Sequence, residues 1–382
     1  MRVAVYVHVP FCRARCSYCD FNTYAGLETL IPAYVAAVCR EIEIAGRRWD
    51  RLTAPTIYFG GGTPSILPPD LLGELLRALR LAFHVSGDVE ITLEANPGTV
   101  DVERLCRMRA LGVNRLSLGI QSAHDDELGL LGRIHTWDEA VETVGAAREA
   151  GFDNLSLDFI FGLPGQTMSR WRETVEAALR LRPEHLSLYA LSVEEDTRLE
   201  ARIAAGELPS PDEDMAAEMY ELAEERLAEA GYWHYEISNW ATVHPRIPNP
   251  YMCHHNLTYW RNESWLGVGA GAHSWMDGRR WANVRHPREY VAALERGDTP
   301  AAETEPINRR LEMGETMMMG LRLAEGVDDA RFCARFGVGL EATFGESLAQ
   351  LHSIGLLVWD GYVARLTARG RLLGNQVFMH FL

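Results

Sequence analysis

Residues 2–19 read RVAVYVHVPFCRARCSYC, and the fold is decided by what this stretch joins together. It opens as a strand, with valines at 3, 5, 7 and 9 alternating with Ala4, Tyr6 and His8. It closes with Cys12, Cys16 and Cys19, three thiols within eight residues. A strand that delivers ligand-type residues at its C-terminal end is typical of parallel α/β folds, where ligand chemistry collects at those ends.

The pattern continues along the chain. Strand-like runs occur at 2–9, 56–60, 89–95, 114–121, 154–162 and 185–192. Between them, residues 31–48, 70–83, 101–111, 136–150 and 168–181 carry apolar side chains at helical spacing. Six strand–helix alternations predict right-handed βαβ units and a parallel sheet, open or barrel-like. The strand ends favour a barrel. After the cysteine loop come GGGTPS behind the second strand and Glu94 with NPG on the third. Gln121, Asp158 and Ser192 follow on the fourth, fifth and sixth. Polar groups at six strand ends suit one rim better than a single switch point, so the expected fold is α/β, a partial (β/α)6 barrel over 1–195.

Residues 196–305 read as a charged linker, a helix at 211–231 and an aromatic-rich extension expected to cover an opening in the barrel. Residues 232–283 hold six of the ten tryptophans. Residues 306–382 predict three helices, a hairpin turning at Asp360-Gly361 and a last helix, a C-terminal helical, winged-helix-like domain. Its eight basic and eight acidic residues favour packing or protein contact over DNA reading.

Composition removes several function classes. The net charge of −16 argues against a nucleic-acid partner. All 37 basic residues are arginine, which excludes a catalytic lysine, a pyridoxal Schiff base and a P-loop. No stretch reaches the ~18 apolar residues of a membrane span, and no signal peptide is read. Seven unevenly spread cysteines suit a reducing, cytoplasmic setting and metal or redox chemistry. Structural zinc wants a second ligand pair, absent here, whereas a [4Fe–4S] cluster held by three cysteines keeps one iron open. Cys39, Cys106 and Cys333 read as small core residues.

PFCRARCSYCDF resembles the cluster loop of the radical S-adenosylmethionine superfamily, C-x3-C-x2-C with an aromatic, Tyr18, before the last cysteine. FGGGTPS, LEANPG, LSLGIQS, LGRIHT and LDFIFGLPGQT continue the resemblance in order, to the oxygen-independent coproporphyrinogen III oxidase-like family. The resemblance implies a radical-SAM barrel, a [4Fe–4S] cluster on Cys12, Cys16 and Cys19, and reductive cleavage of S-adenosylmethionine. It also implies cofactor contacts from Tyr6, Tyr18, Gly61, Gly62, Thr63, Glu94, Gln121, Arg133, Asp158 and Ser192.

Within the family, the oxidases carry a further cysteine two residues after the triplet; here the residue is Phe21. CHHNLTYW, residues 253–260, resembles the H-N-x-x-Y-W motif of the haem chaperone branch. That likeness implies haem contacts from His255, Asn256, Tyr259 and Trp260, with Cys253 and His254 as adjacent alternatives for the iron. It implies apo-haemoprotein acceptors such as respiratory enzymes. A haem donor, transient contact with a membrane surface and a homodimer stay open. The competing expectations are a coproporphyrinogen III oxidase and a radical methyltransferase or cyclopropane-forming enzyme.

Overall fold

The computed structural model describes residues 1–49 and 52–382. Six strands appear where alternation predicted them: β1 (Ala4–Val9), β2 (Thr53–Gly61), β3 (His84–Ala95), β4 (Arg115–Gln121), β5 (Leu155–Phe161) and β6 (His185–Ala190). They pair in parallel in that order. Helices follow each of the first five. Ile31–Arg48 turns Ile31, Tyr34, Val35, Val38, Ile42 and Ala45 inward at three- and four-residue spacing. Asp101 and Thr167 cap their helices through side-chain oxygens, and Thr136 with Glu139 forms a reciprocal capping box.

The strands sort their side chains by the two-residue period. Ile57, Phe59, Ile91, Leu93, Leu116, Leu118, Leu157 and Leu186 join the helices in one apolar core. Each fully buried side chain of this kind contributes about 1.5–3 kcal/mol. The alternate positions carry Thr56, Tyr58, Glu90, Thr92, Glu94, Arg115, Ser117, Ser156, Asp158, His185 and Ser187. The interior of the curved sheet is therefore polar, and the site is built from it.

The extension differs from expectation. Rather than covering an opening, it lengthens the sheet at both edges. Beside β6, the hairpin β7 (Tyr232–Glu236) and β8 (Asn239–Thr242) adds antiparallel strands. Beside β1, β9 (Trp265–Val268) adds a seventh parallel strand. Three antiparallel strands continue it: β10 (His273–Met276), β11 (Arg279–Asn283) and β12 (Ala301–Pro306). The result is an open sheet of twelve strands, β12-β11-β10-β9-β1-β2-β3-β4-β5-β6-β8-β7. The charged linker also contains a helix, Arg198–Ala204, capped by Thr197.

At the C-terminus, helices Arg309–Gly320, Asp329–Phe336 and Leu340–Ser353 precede the hairpin β14 (Leu357–Trp359) and β15 (Val363–Leu366). A short β13 (Val327–Asp328) pairs with the second hairpin strand. Met317, Phe332, Leu348, Leu351 and Phe381 gather into an apolar cluster separate from the barrel's. Cys106 and Cys333, expected in the core, are exposed on their helices, and Cys39 is half-buried. No helix among the described residues is long and apolar enough to cross a membrane.

Candidate cluster and cofactor site

The cysteine loop is tied to the sheet at both ends. Phe11–Cys12 pairs in parallel with Tyr24–Ala25. The Gly62 and Thr63 amides donate to Val9 and Phe11 carbonyls at 2.8 and 2.9 Å, extending the β1–β2 ladder into the loop. Gly62 has no room for a side chain: a Cβ would lie 2.6 Å from the Phe11 carbonyl oxygen and 3.0 Å from Cys12 Sγ. Gly61 takes a φ of 115°, and a Cβ there would meet the His8 ring.

Cys12, Cys16, Cys19 and Tyr18 line one cavity of about 470 Å3. Thr63 Oγ1 donates to Cys12 Sγ at 3.6 Å, and burial pushes that thiol up to about 11. Arg133 Nη1 donates to Cys16 Sγ at 3.4 Å. Among the described residues, no group of three or more His, Cys, Asp or Glu side chains is placed to hold a single metal ion. Three soft donors around a cavity, with a glycine cradle pressed on one of them, fit a polynuclear iron–sulfur cluster.

All the remaining predicted cofactor residues except Tyr6 meet in the same cavity. Gly61, Gly62, Thr63, Glu94, Gln121, Arg133, Asp158 and Ser192 all line it. Glu94 accepts from the Tyr58 hydroxyl at 2.8 Å and the Gly61 amide at 3.0 Å, and burial pushes its carboxyl up to about 7. Asp158 accepts from Ser117 and Ser156 hydroxyls at 2.8 and 3.0 Å, and burial raises it too. Gln121 stands at a bulge between β4 and β5 with a φ of 75°, a left-handed conformation costly for a side chain with a Cβ. Arg133 also donates to Asn96 Oδ1 and the Gly119 carbonyl, both at 2.6 Å. Ser192 lies past the end of β6, exposed at the mouth.

Sequence reasoning missed several members of this site, Asn96 and Arg115 among them. Asn96 donates to Thr63 Oγ1 at 2.9 Å, so Thr63, Asn96, Arg133 and Cys16 form one chain across four loops. Its signal was its place in LEANPG, directly behind a strand. Arg115 is 2 % exposed, lines the cavity, and among the described residues its Nε has no hydrogen-bond partner. Arg115 stands at the start of β4, where a charge gives a weaker signal than that of Asp158 in mid-strand.

Tyr6 faces elsewhere, into a neighbouring cavity of about 710 Å3 that shares Phe21, Gly61 and Glu94 with the first. The H-N-x-x-Y-W residues do not share one surface. They lie on the helix His254–Trp260, whose first amides donate to Glu90 at 2.9 and 3.0 Å. His255 is 1 % exposed, and both ring nitrogens are engaged at 2.9 Å, Nδ1 with Thr56 and Nε2 with the Tyr259 hydroxyl. Burial pushes its pKa down to about 3, with the Arg115 charge adding to the effect, so the ring is neutral. An axial bond to iron would require Nε2 to leave Tyr259. Asn256 lines the thiol cavity, whereas Tyr259 faces the second one. Trp260 packs with Tyr235, Met252, Leu257 and Leu323 under the Arg322 guanidinium.

Comparison with known proteins bears on the family of the chain. The Radical SAM superfamily model matches residues 6–178, and the HemN C-terminal domain model matches 307–373. A protein of Bacillus subtilis named heme chaperone HemW is 36% identical over 380 residues, covering 99% of each chain. Its namesake in Mycobacterium tuberculosis is 38% identical, covering 98% of this chain and 93% of the relative. That of Escherichia coli is 33% identical, covering 100% and 98%. The solved structure of the E. coli coproporphyrinogen III oxidase HemN superposes with a TM-score of 0.85 at 23% identity, over 99% of this chain and 89% of that one. At that identity the likeness speaks for the fold alone. Full-length relatives above 30% identity carry the assignment: the chain belongs to the radical S-adenosylmethionine superfamily, in the oxygen-independent coproporphyrinogen III oxidase-like family and its haem chaperone branch.

Proposed function

We propose that this protein is a cytoplasmic haem chaperone that binds a [4Fe–4S] cluster, S-adenosylmethionine and haem, and passes haem to apo-haemoproteins such as respiratory enzymes. One observation carries the reading: three thiols, a side-chain-free glycine loop and the charged strand ends ring one cavity, and a larger aromatic cavity shares its wall. The full-length relatives named as heme chaperones support it.

Cys12, Cys16 and Cys19 hold the cluster. When bound, cluster and S-adenosylmethionine together supply a reductively cleavable carbon–sulfur bond. The backbone of Gly61, Gly62 and Thr63 allows the close approach of an amino-acid end, and Arg133 is placed to hold a carboxylate. Glu94 and Asp158 offer acceptors for hydroxyl or ammonium groups, Gln121 reaches in from the strained bulge, and Tyr18 and Ser192 border the cavity.

The test is an anaerobically reconstituted preparation titrated with haem, mixed with an apo-haemoprotein, and assayed separately with coproporphyrinogen III. Haem binding and transfer without porphyrinogen conversion is the expected result. Conversion without haem binding would transfer the protein to the oxidases.

A further inference from the structure

The second cavity is the place where the cargo can be seated, and its imidazoles are not equivalent. It opens between β1 and the edge strands β9–β12. At about 710 Å3 it lies within the size range of cofactor-binding cavities. Tyr259 and Trp265, packed edge to face with ring centroids 5.0 Å apart, both line it, and Phe21 stands 63% exposed at the rim.

Three histidines lie in or beside this cavity, and two are already committed. His8 is 6% exposed, with Nδ1 on the Tyr6 hydroxyl at 3.0 Å and Nε2 on the Asn22 carbonyl at 2.9 Å. His255 is bound on both nitrogens, as described. His273 is exposed, lines the cavity, and among the described residues its ring makes no hydrogen bond or ion pair. Its backbone is nevertheless fixed. The carbonyl accepts from Trp265 Nε1 at 3.1 Å, and it passes so close to Gly267 that a Cβ there would lie 2.2 Å away. The preceding loop is anchored by Glu41 on the Gly269 amide and Tyr34 on the Ala270 amide, both at 2.8 Å. On this fixed backbone the imidazole has, among the described residues, both nitrogens open, so it can bind a metal without breaking an existing bond.

The same cavity has one cation with no side-chain partner among the described residues, Arg285. Its carbonyl accepts from Asn22 and Tyr24 at 2.9 and 3.3 Å, which ties its backbone to the end of the cysteine loop. The acidic lining residues are Glu94 on the inner wall and the exposed Glu303 on the rim. A ligand carrying carboxylates on one edge is drawn to Arg285, so it enters with that edge toward the guanidinium.

We propose that this cavity seats haem, with His273 as the axial ligand to iron and Arg285 pairing a propionate, while His255 positions Tyr259 and does not touch the metal. The inference rests on the chaperone reading and names the residues that reading leaves open.

Cluster-loaded, full-length protein is titrated anaerobically with haem and with haem dimethyl ester, following the Soret band. His273→Ala weakens haem about tenfold or more and loses the histidine-ligated band. His273→Cys shifts the band to a thiolate type, a new signal that misfolding cannot produce. Arg285→Ala weakens haem about tenfold but leaves the dimethyl ester unaffected, because a charge-assisted bond is worth about 1.4 kcal/mol here. His255→Gln keeps the wild-type band. A wild-type band in both His273 variants, with haem still bound, overturns the inference and leaves the chaperone reading standing. No haem binding by the wild-type protein removes the chaperone reading itself.

Discussion

Glu94→Gln converts the electrostatics of the site into a measurable slope. Burial moves the Glu94 carboxyl from its ordinary 4.5 to about 7. Folded protein therefore keeps a proton that the unfolded chain has already lost between those values. The stability this supplies is complete below about 4.5 and disappears as pH rises through 7. At 1.36 kcal/mol per pKa unit the whole effect is roughly 3 kcal/mol, of which about 2.5 kcal/mol falls between pH 5 and 8. For a chain of 382 residues unfolding with ~2.1 cal/mol/K per residue, that corresponds to about 3 °C in Tm. Glutamine keeps an acceptor for the Gly61 amide and a donor for the Tyr58 oxygen, so packing survives. Glu41 and Glu236 are raised by burial as well, to about 7 and about 8, so the wild-type slope is composite and the variant must be compared with it. The assay is calorimetry at pH 5 and 8, without S-adenosylmethionine, on both proteins. The wild type should lose about 3 °C more than the variant across that range. Equal losses would show that Glu94 is ionised at its ordinary pH and that the cavity wall is wet.

Two further perturbations address the scaffold. Gly62→Ala forces the cysteine loop off the Phe11 carbonyl, at an overpacking cost of about 1–3 kcal/mol. Iron and sulfide content after reconstitution should fall below half while the circular dichroism is kept, and full loading would refute the cradle. Leu348→Ala empties a fully buried position in the C-terminal cluster, costing about 2–5 kcal/mol. Hydrogen exchange should then accelerate across 309–381 and not in the helices packed on β1–β6; uniform acceleration would show that the two apolar clusters open together.

The barrel was legible because each of its signals is local. Ile31–Arg48 starts and ends where its apolar spacing does, and Asp158 declares itself as a charge in an apolar strand. The Arg198–Ala204 helix was readable too, since Thr197 and Glu200 have capping-box spacing. The extension was not legible. Its strands of four to six residues carry little periodicity, and their partners are set by pairing across the sheet, as when Leu266 meets Val5. The H-N-x-x-Y-W motif was legible as a mark of the branch, while the placement of its four side chains was not. On a helix, His255 and Tyr259 fall on one face and Asn256 and Trp260 on the next, so the four cannot present one surface. His273 closes GVGAGAH, a stretch that reads from sequence as strand and loop.

The wall shared by the two cavities has a thermodynamic consequence. Phe21, Gly61 and Glu94 border both spaces, so an occupant on either side meets the same carboxylate. Binding free energies around such a cycle must close. Whatever factor a cofactor on the thiol side imposes on the affinity for cargo, the cargo imposes on the cofactor. On the proposed reading, any effect of haem on the hold of S-adenosylmethionine would be matched by the reverse effect, and one measured factor would report both directions.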